Sequence, residues 1–213
     1  MAFGLTSLHN QHSIEPLRDF VRLATRCVEK TNDEAQLIAQ LKPLLKGLID
    51  DDRWLPPAFA QPHPQYYQQY LLHCDPLERF SVVSFVWGIG QQTPIHDHGI
   101  WGLVGILRGA ELCQSYAPDA GGFMQTVGKA YRLERGDIEA VSPSLGDVHT
   151  VANAMTDQPS ISIHVYGANI GAFKRHVYRL ADPSTSDPEA LRKVFISGYS
   201  ASTIPNLWDR SRS

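Results

Sequence analysis

Hydrophobic positions along the chain recur with two different periods, and the change between them falls near residue 80. Leu17, Phe20, Val21, Ala24 and Val28 lie at the i, i+3, i+4, i+7 spacing of one helical stripe. Leu37, Leu41, Leu44, Leu45 and Leu48 continue the pattern on a second helix, for which Thr31 to Glu34 reads as a capping box. Pro43 lacks an amide donor and is expected to kink that helix or to open a new one. Residues 14–50 therefore read as a helical layer. Pro56-Pro57 ends it, and Gln61 to Pro64 is a polar, proline-rich connector.

From about Phe80 the period becomes two. Val83, Phe85 and Trp87 alternate with Val82, Ser84 and Val86, and Leu103 to Leu107 is a short apolar run. Leu112, Gln114 and Tyr116 alternate again, as Ile161, Ile163 and Val165 do against Ser162, His164 and Tyr166. Asp119-Ala120-Gly121-Gly122 reads as a hairpin connection and Glu134-Arg135-Gly136-Asp137 as a tight turn. Short strands punctuated by Gly, Pro and Asp predict a β-sandwich or barrel behind the helical layer. After Arg179 the signal fades, apart from a short helix at Asp187-Pro188-Glu189-Ala190-Leu191 and a polar tail from Asp209.

A chain of 213 residues is long enough for one well-buried domain. The expectation is a single domain over 1–213, with the helical layer at 14–50, strands over about 80–180 and an extension over 181–213. A net charge of −3 with no run of Lys and Arg predicts neither a nucleic-acid nor a polybasic membrane partner. No apolar run reaches the roughly 18 residues that span a bilayer, and Met1 to Ser7 lacks a basic stretch followed by an apolar core. Cytoplasmic is the resulting expectation. Cys27, Cys74 and Cys113 form no C-x-x-C, as expected of reduced thiols. No feature reports on oligomeric state.

The chemistry concentrates at Pro94-Ile95-His96-Asp97-His98. Two histidines one residue apart on a strand have Cα atoms about 6.5–7 Å apart and imidazoles on one face. Two ring nitrogens can then reach one divalent ion at about 2.0–2.1 Å. Asp97 reads as a spacer facing the other way, Trp87 and Trp101 as packing, Cys113 as core, and His176 as without a special role.

Gly90, five residues, His96-x-His98, three residues, Gly102, six residues and Gly109 together resemble the first signature of the cupin superfamily. Gly102 stands where the usual glutamate ligand would be. Gly136, then Pro143-x-x-Gly146-x-x-His149-x-x-x-Asn153, resembles the second signature, with its first interval one residue longer than the common form. The resemblance implies a mainly β fold, a cupin double-stranded β-barrel of jelly-roll type, with a metal held by His96, His98 and His149.

Three neutral imidazoles leave a divalent charge uncompensated and coordination positions free, which favours an anionic chelator such as a thiolate. Two histidines and one carboxylate are the commoner iron oxygenase set; the three-histidine version resembles the thiol dioxygenases of the cysteine dioxygenase family. Ser162-x-His164-x-Tyr166 shares one strand face and resembles that family's hydrogen-bonded relay, which implies catalytic roles for Tyr166, His164 and Ser162. Tyr67-Gln68-Gln69 is similar to the mammalian Tyr-x-Arg segment, with Gln69 replacing the carboxylate-binding arginine. Gly99-Ile100-Trp101-Gly102-Leu103 has no cysteine to cross-link to Tyr166. Both departures resemble the bacterial 3-mercaptopropionate dioxygenases, in which an arginine after the relay strand helps to bind the carboxylate. Arg175 matches that position first and Arg179 second.

The resemblance implies an Fe(II)-dependent thiol dioxygenase that uses O2 to convert a small thiol carboxylate to its sulfinate. Both 3-mercaptopropionate and L-cysteine fit as substrates, and Gln69 is expected to discriminate loosely between them. Sulfinic acid is an oxidation level that cysteine side chains also reach. Three imidazoles suit Zn, Ni, Cu and Co as well as Fe. The rival is a non-catalytic metal-binding cupin that senses or stores a ligand.

Overall fold

The computed structural model describes residues 13–181 and 185–200. Two helices come first, α1 (Glu15–Lys30) and α2 (Glu34–Ile49). The strands follow: β1 (Gln68–Cys74), β2 (Ser81–Trp87), β3 (Ile95–His96), β4 (Gly102–Arg108), β5 (Ala110–Pro118) and β6 (Met124–Glu134). They continue with β7 (Ile138–Val141), β8 (His149–Asn153), β9 (Ser160–Tyr166), β10 (Arg175–Tyr178) and β11 (Arg192–Phe195). A 3-10 turn covers Pro57–Phe59 and another Pro188–Leu191.

The strands form two antiparallel sheets, in the orders β1-β2-β9-β4-β7 and β11-β10-β3-β8-β5-β6. This crossing order is a jelly-roll-like double-stranded β-helix with a helical layer on one side. Among the described residues the two sheets remain separate, so the expected double-stranded β-barrel is of the open, two-sheet kind. The strands also begin earlier and end later than the expected 80–180: β1 pairs with β2, and β11 pairs with β10. The polar tail expected from Asp209 lies outside the described residues.

Alternation along the first sheet divides the interior in two. Val82 and Val86 of β2, Leu103 and Leu107 of β4, and Ile161, Ile163 and Val165 of β9 join one core with Leu17, Phe20, Leu41 and Leu45. That core buries the outer face of the sheet against the helices. Val83, Phe85, Trp87 and Tyr166 point the other way and pack with Cys113 and Val151 between the sheets. A strand buried on both faces thus carries one side chain in two to the helices and one in two to the interior.

Helix boundaries differ in detail from the expectation. Asp33, not Thr31, caps α2, its carboxylate accepting the Gln36 amide at 2.8 Å. Thr31 closes α1 instead, and its hydroxyl accepts the Asp33 amide at 3.0 Å. Pro43 opens no new helix, since α2 continues through it to Ile49. α2 rides close to β4: a Cβ at Gly105 would sit 3.0 Å from Ile49 Cδ1 and 3.2 Å from Leu45. Leu45 is fully buried at this contact. Leu45→Ala is expected to lower unfolding stability by about 2–5 kcal/mol, read as a drop in the denaturant midpoint with an unchanged slope.

Candidate metal centre

Register brings the first two histidines together. β3 and β8 are antiparallel with His96 directly opposite His149, so their side chains leave the sheet side by side. β3 is only two residues long; His98 lies just past its end rather than on the strand, and the chain there turns its ring back to the other two. The three ring centroids form a near-equilateral triangle of 4.9, 4.9 and 5.0 Å. One ring nitrogen from each lies within 4.8 Å of the others, and all three residues are buried.

Two of the three rings have a fixed partner on one nitrogen. His96 Nδ1 is 3.1 Å from the Pro94 carbonyl, and His98 Nδ1 is 3.0 Å from Asp147 Oδ1. Asp147 Oδ2 also accepts the His98 amide at 3.1 Å and the Gly99 amide at 2.7 Å. Burial opposes charge on Asp147, but these hydrogen bonds outweigh it and hold the carboxyl below its usual range. Such carboxylate–histidine pairs fix ring orientation and tautomer at metal sites. Burial drives His149 down to about 3, with His98 adding to the shift, and drives His96 well below its ordinary value. Neutral imidazoles are the form that metals take, so the donor set fits a divalent cation.

The position that would supply a carboxylate is sterically closed. Gly102 on β4 pairs with Tyr166 on β9, and a Cβ on Gly102 would lie 2.8 Å from Tyr166 Cδ1 and 3.1 Å from Val141 Cγ2. The Tyr166 ring fills that space and lies near-parallel to His98, 5.5 Å between centroids. Its hydroxyl is 2.8 Å from His164 Nδ1, and His164 Nε2 is 2.8 Å from Ser162 Oγ. Phe85 stacks on the His164 ring at 4.0 Å. Burial keeps His164 neutral and raises the Tyr166 phenol above its ordinary value.

These groups share a cavity of about 220 Å³, below the roughly 300–1,000 Å³ of drug-sized sites. The three histidines, His164, Tyr166, Gln69 and Arg175 line it with Tyr67, Phe85, Trp87, Val177 and Phe195, and no Asp or Glu does so among the described residues. Gln69 sits on β1, not before the first strand, with its backbone tied to Ser200. Arg175 opens β10, only 4% exposed. Its guanidinium donates to Ser197 Oγ at 2.7 Å and lies 4.8 Å over the Phe195 ring, and its Nε has no hydrogen-bond partner among the described residues. Arg179 lines a different groove, with Pro188 and Arg192.

Four residues carry more than the sequence pattern suggested. Asp97 is no spacer: its carboxylate accepts the His176 amide at 2.7 Å, the Tyr178 hydroxyl at 2.7 Å and His176 Nδ1 at 2.8 Å. It thereby pins β10, and so Arg175, to the ligand strand. Trp87 packs as expected but also donates its indole N–H to Ser162 Oγ at 3.3 Å. Asp147 was missed, although an acid two residues before a candidate ligand is a usable signal. Glu111 was missed because strand alternation hid it: it faces inward while Leu112 is 43% exposed.

Comparison with solved structures finds distant likenesses. No known protein-family profile matches the chain. It is similar to a double-stranded β-helix protein of Klebsiella pneumoniae, at 20% identity over 52% of this chain and 80% of that one, with a TM-score of 0.41. A cupin superfamily protein of Desulfitobacterium hafniense shares 15% identity over 56% of this chain and 94% of that one, at a TM-score of 0.40. A DMSP lyase of Ruegeria pomeroyi shares 16% identity over 51% of this chain and 50% of that one, at a TM-score of 0.37.

Asp147→Asn is expected to lower metal affinity about 10–100-fold while leaving the three imidazoles in place. Competition for Zn(II) against a chromophoric chelator measures it; unchanged affinity would show that His98 needs no anchor.

Proposed function

We propose that the chain is an Fe(II)-dependent dioxygenase that converts a small thiol carboxylate to its sulfinate. One observation carries this reading: three imidazoles converge without a carboxylate in a cavity where a Ser–His–Tyr chain ends. Fe(II) held by His96, His98 and His149 supplies the redox chemistry that joins thiol sulfur and dioxygen. Both oxygen atoms finish on sulfur, the electrons sulfur loses are those dioxygen takes up, and the thiol proton leaves to solvent.

The protein's own groups bind and orient. Arg175 is a buried cation with no acidic partner among the described residues, and an uncompensated buried charge is costly. A substrate carboxylate would relieve it, at about twice the strength of a neutral hydrogen bond. Arg175 is preferred over Arg179 for this role because it lines the histidine cavity and Arg179 does not. Tyr166 turns its hydroxyl toward the reacting atoms, His164 orients that hydroxyl, and Ser162 orients the ring of His164. Phe85, Trp87 and Phe195 exclude water from the site.

Gln69 bears on the choice of thiol. It offers an uncharged amide where a second guanidinium would grip the carboxylate more strongly. With no acid among the described residues of the cavity to receive an ammonium group, the desamino thiol 3-mercaptopropionate is favoured over L-cysteine.

Anaerobic loading with Fe(II), followed by addition of each thiol and of air, is expected to give O2 uptake matched by sulfinate, with 3-mercaptopropionate the better substrate by kcat/KM. Tight stoichiometric binding of the thiols without product would instead identify a ligand-sensing or ligand-storing protein. Gln69→Arg is expected to lower KM about tenfold for both thiols, the effect of roughly one charge-assisted hydrogen bond to the carboxylate they share. An unchanged KM would remove Gln69 from the carboxylate's surroundings.

A further inference from the structure

Glu111 is fully buried on β5, between the sheets rather than at the surface. Its carboxyl lies beside the Ser162 hydroxyl and the Trp87 indole N–H, but neither of its oxygens makes a hydrogen bond of full geometry among the described residues. It therefore stands at the closed end of the chain whose open end is Tyr166. We propose that Glu111 is a positioning residue that sets the direction of the Ser162–His164–Tyr166 hydrogen bonds. With that direction it decides whether Tyr166 donates to, or accepts from, a ligand in the cavity.

Donor and acceptor counting gives two self-consistent arrangements. A hydroxyl has one proton and two acceptor lone pairs, and a neutral imidazole has one N–H and one acceptor nitrogen. Ser162 Oγ always accepts from the Trp87 indole. When Glu111 is a neutral acid, it donates to Ser162, so the serine proton must go to His164 Nε2. His164 then carries its proton on Nδ1 and gives it to the Tyr166 oxygen, which frees the phenolic O–H to donate into the cavity. When Glu111 is a carboxylate, every bond from Glu111 to Tyr166 reverses while the Trp87 bond stays. Ser162 donates to Glu111, His164 Nε2–H donates to Ser162, and Tyr166 donates inward to Nδ1. Tyr166 then offers the cavity only an acceptor.

Both arrangements satisfy Ser162 completely, so a single proton selects between them. Burial pushes the Glu111 carboxyl up to about 8, against the Ser162 and Trp87 interactions that lower it, and the nearby Glu139 carboxyl raises it further. Cys113 and Tyr166 also feel its charge, and His164 faces it through Ser162. The donor form of Tyr166 thus belongs to neutral pH and the acceptor form to alkaline pH. That this matters for turnover rests on the proposed thiol oxidation; the direction of the chain does not.

The test reads the tautomer of His164 rather than activity. Protein labelled with 15N-histidine and loaded with Zn(II) is titrated from neutral to alkaline pH, with His164 assigned by the loss of its signals in His164→Asn. The wild type is expected to pass from the Nδ1–H to the Nε2–H tautomer with a midpoint near pH 8. Glu111→Gln, whose amide donates but cannot ionise, is expected to keep the Nδ1–H form throughout. One unchanging tautomer in the wild type would overturn the proposal, and so would the same crossover in Glu111→Gln, which would move the switch to Glu139. A crossover in a protein that oxidises no thiol would sink the proposed function and leave this inference standing. Turnover without a crossover would do the reverse.

Discussion

The approach of the Tyr166 ring to the backbone at Gly102 governs the chemistry of this centre. Any side chain at 102 would begin 2.8 Å from that ring, a separation that packed carbon atoms do not tolerate. A tyrosine over the metal cavity and a carboxylate ligand from β4 are therefore alternatives, and this chain has the tyrosine. Three further features follow from that choice. The histidine set has no acidic member, no Asp or Glu lines the cavity among the described residues, and the phenol acquires a position from which it can meet whatever binds among the imidazoles.

The relay depends on a strand that serves two cores. β9 sends Ile161, Ile163 and Val165 to the helices and Ser162, His164 and Tyr166 to the interior. The apolar set holds the strand still against α1 and α2, so the polar set is positioned by packing that it does not itself provide. A slip of one residue would exchange the two sets and bury three polar groups against leucine. Register is consequently fixed by the hydrophobic side and read out on the polar side. The same division lets Phe85 of β2 stack on His164 while Val86 next to it faces the helical core.

What was legible in the sequence follows from how local each cause is. The helices show in the apolar stripe, and the hairpin and turn show in their glycines: Gly122 and Gly136 both have positive φ, which glycine adopts without strain. Spacing brought His96 and His98 to notice, whereas His149 came only through the resemblance of Pro143-x-x-Gly146-x-x-His149-x-x-x-Asn153 to a known signature, since no local period links it to its cross-strand partner His96. β1 was hidden because Gln68-Gln69-Tyr70-Leu71-Leu72-His73-Cys74 mixes polar and apolar residues on a strand at the sheet's edge. β11 was hidden because Arg192 and Lys193 give it the charged character of edge strands. Asp147 meets His98 across 49 residues of sequence, and no local period encodes such a contact. Glu111 inverts the ordinary pattern, an acid inside and Leu112 outside, so alternation pointed to the wrong face.

Charge balance explains why the two ends of the cavity belong to one site. A divalent ion held among the neutral imidazoles would be uncompensated, and among the described residues the Arg175 guanidinium meets a serine hydroxyl and an aromatic ring but no acid. Asp97 ties β10 to the segment that bears His96 and His98, so the separation between Arg175 and the three imidazoles is set by the fold. With a metal ion bound, two buried cations at a fixed distance, walled by Phe85, Trp87 and Phe195, would be little screened by mobile water. A ligand with an anion at each end neutralises both centres at once, whereas a ligand with one anion leaves the other desolvated and unpaired. On the proposed reading the thiolate and the carboxylate are those two ends. On the same reading an added ammonium group would enter a field that is already positive, which favours the desamino thiol over L-cysteine.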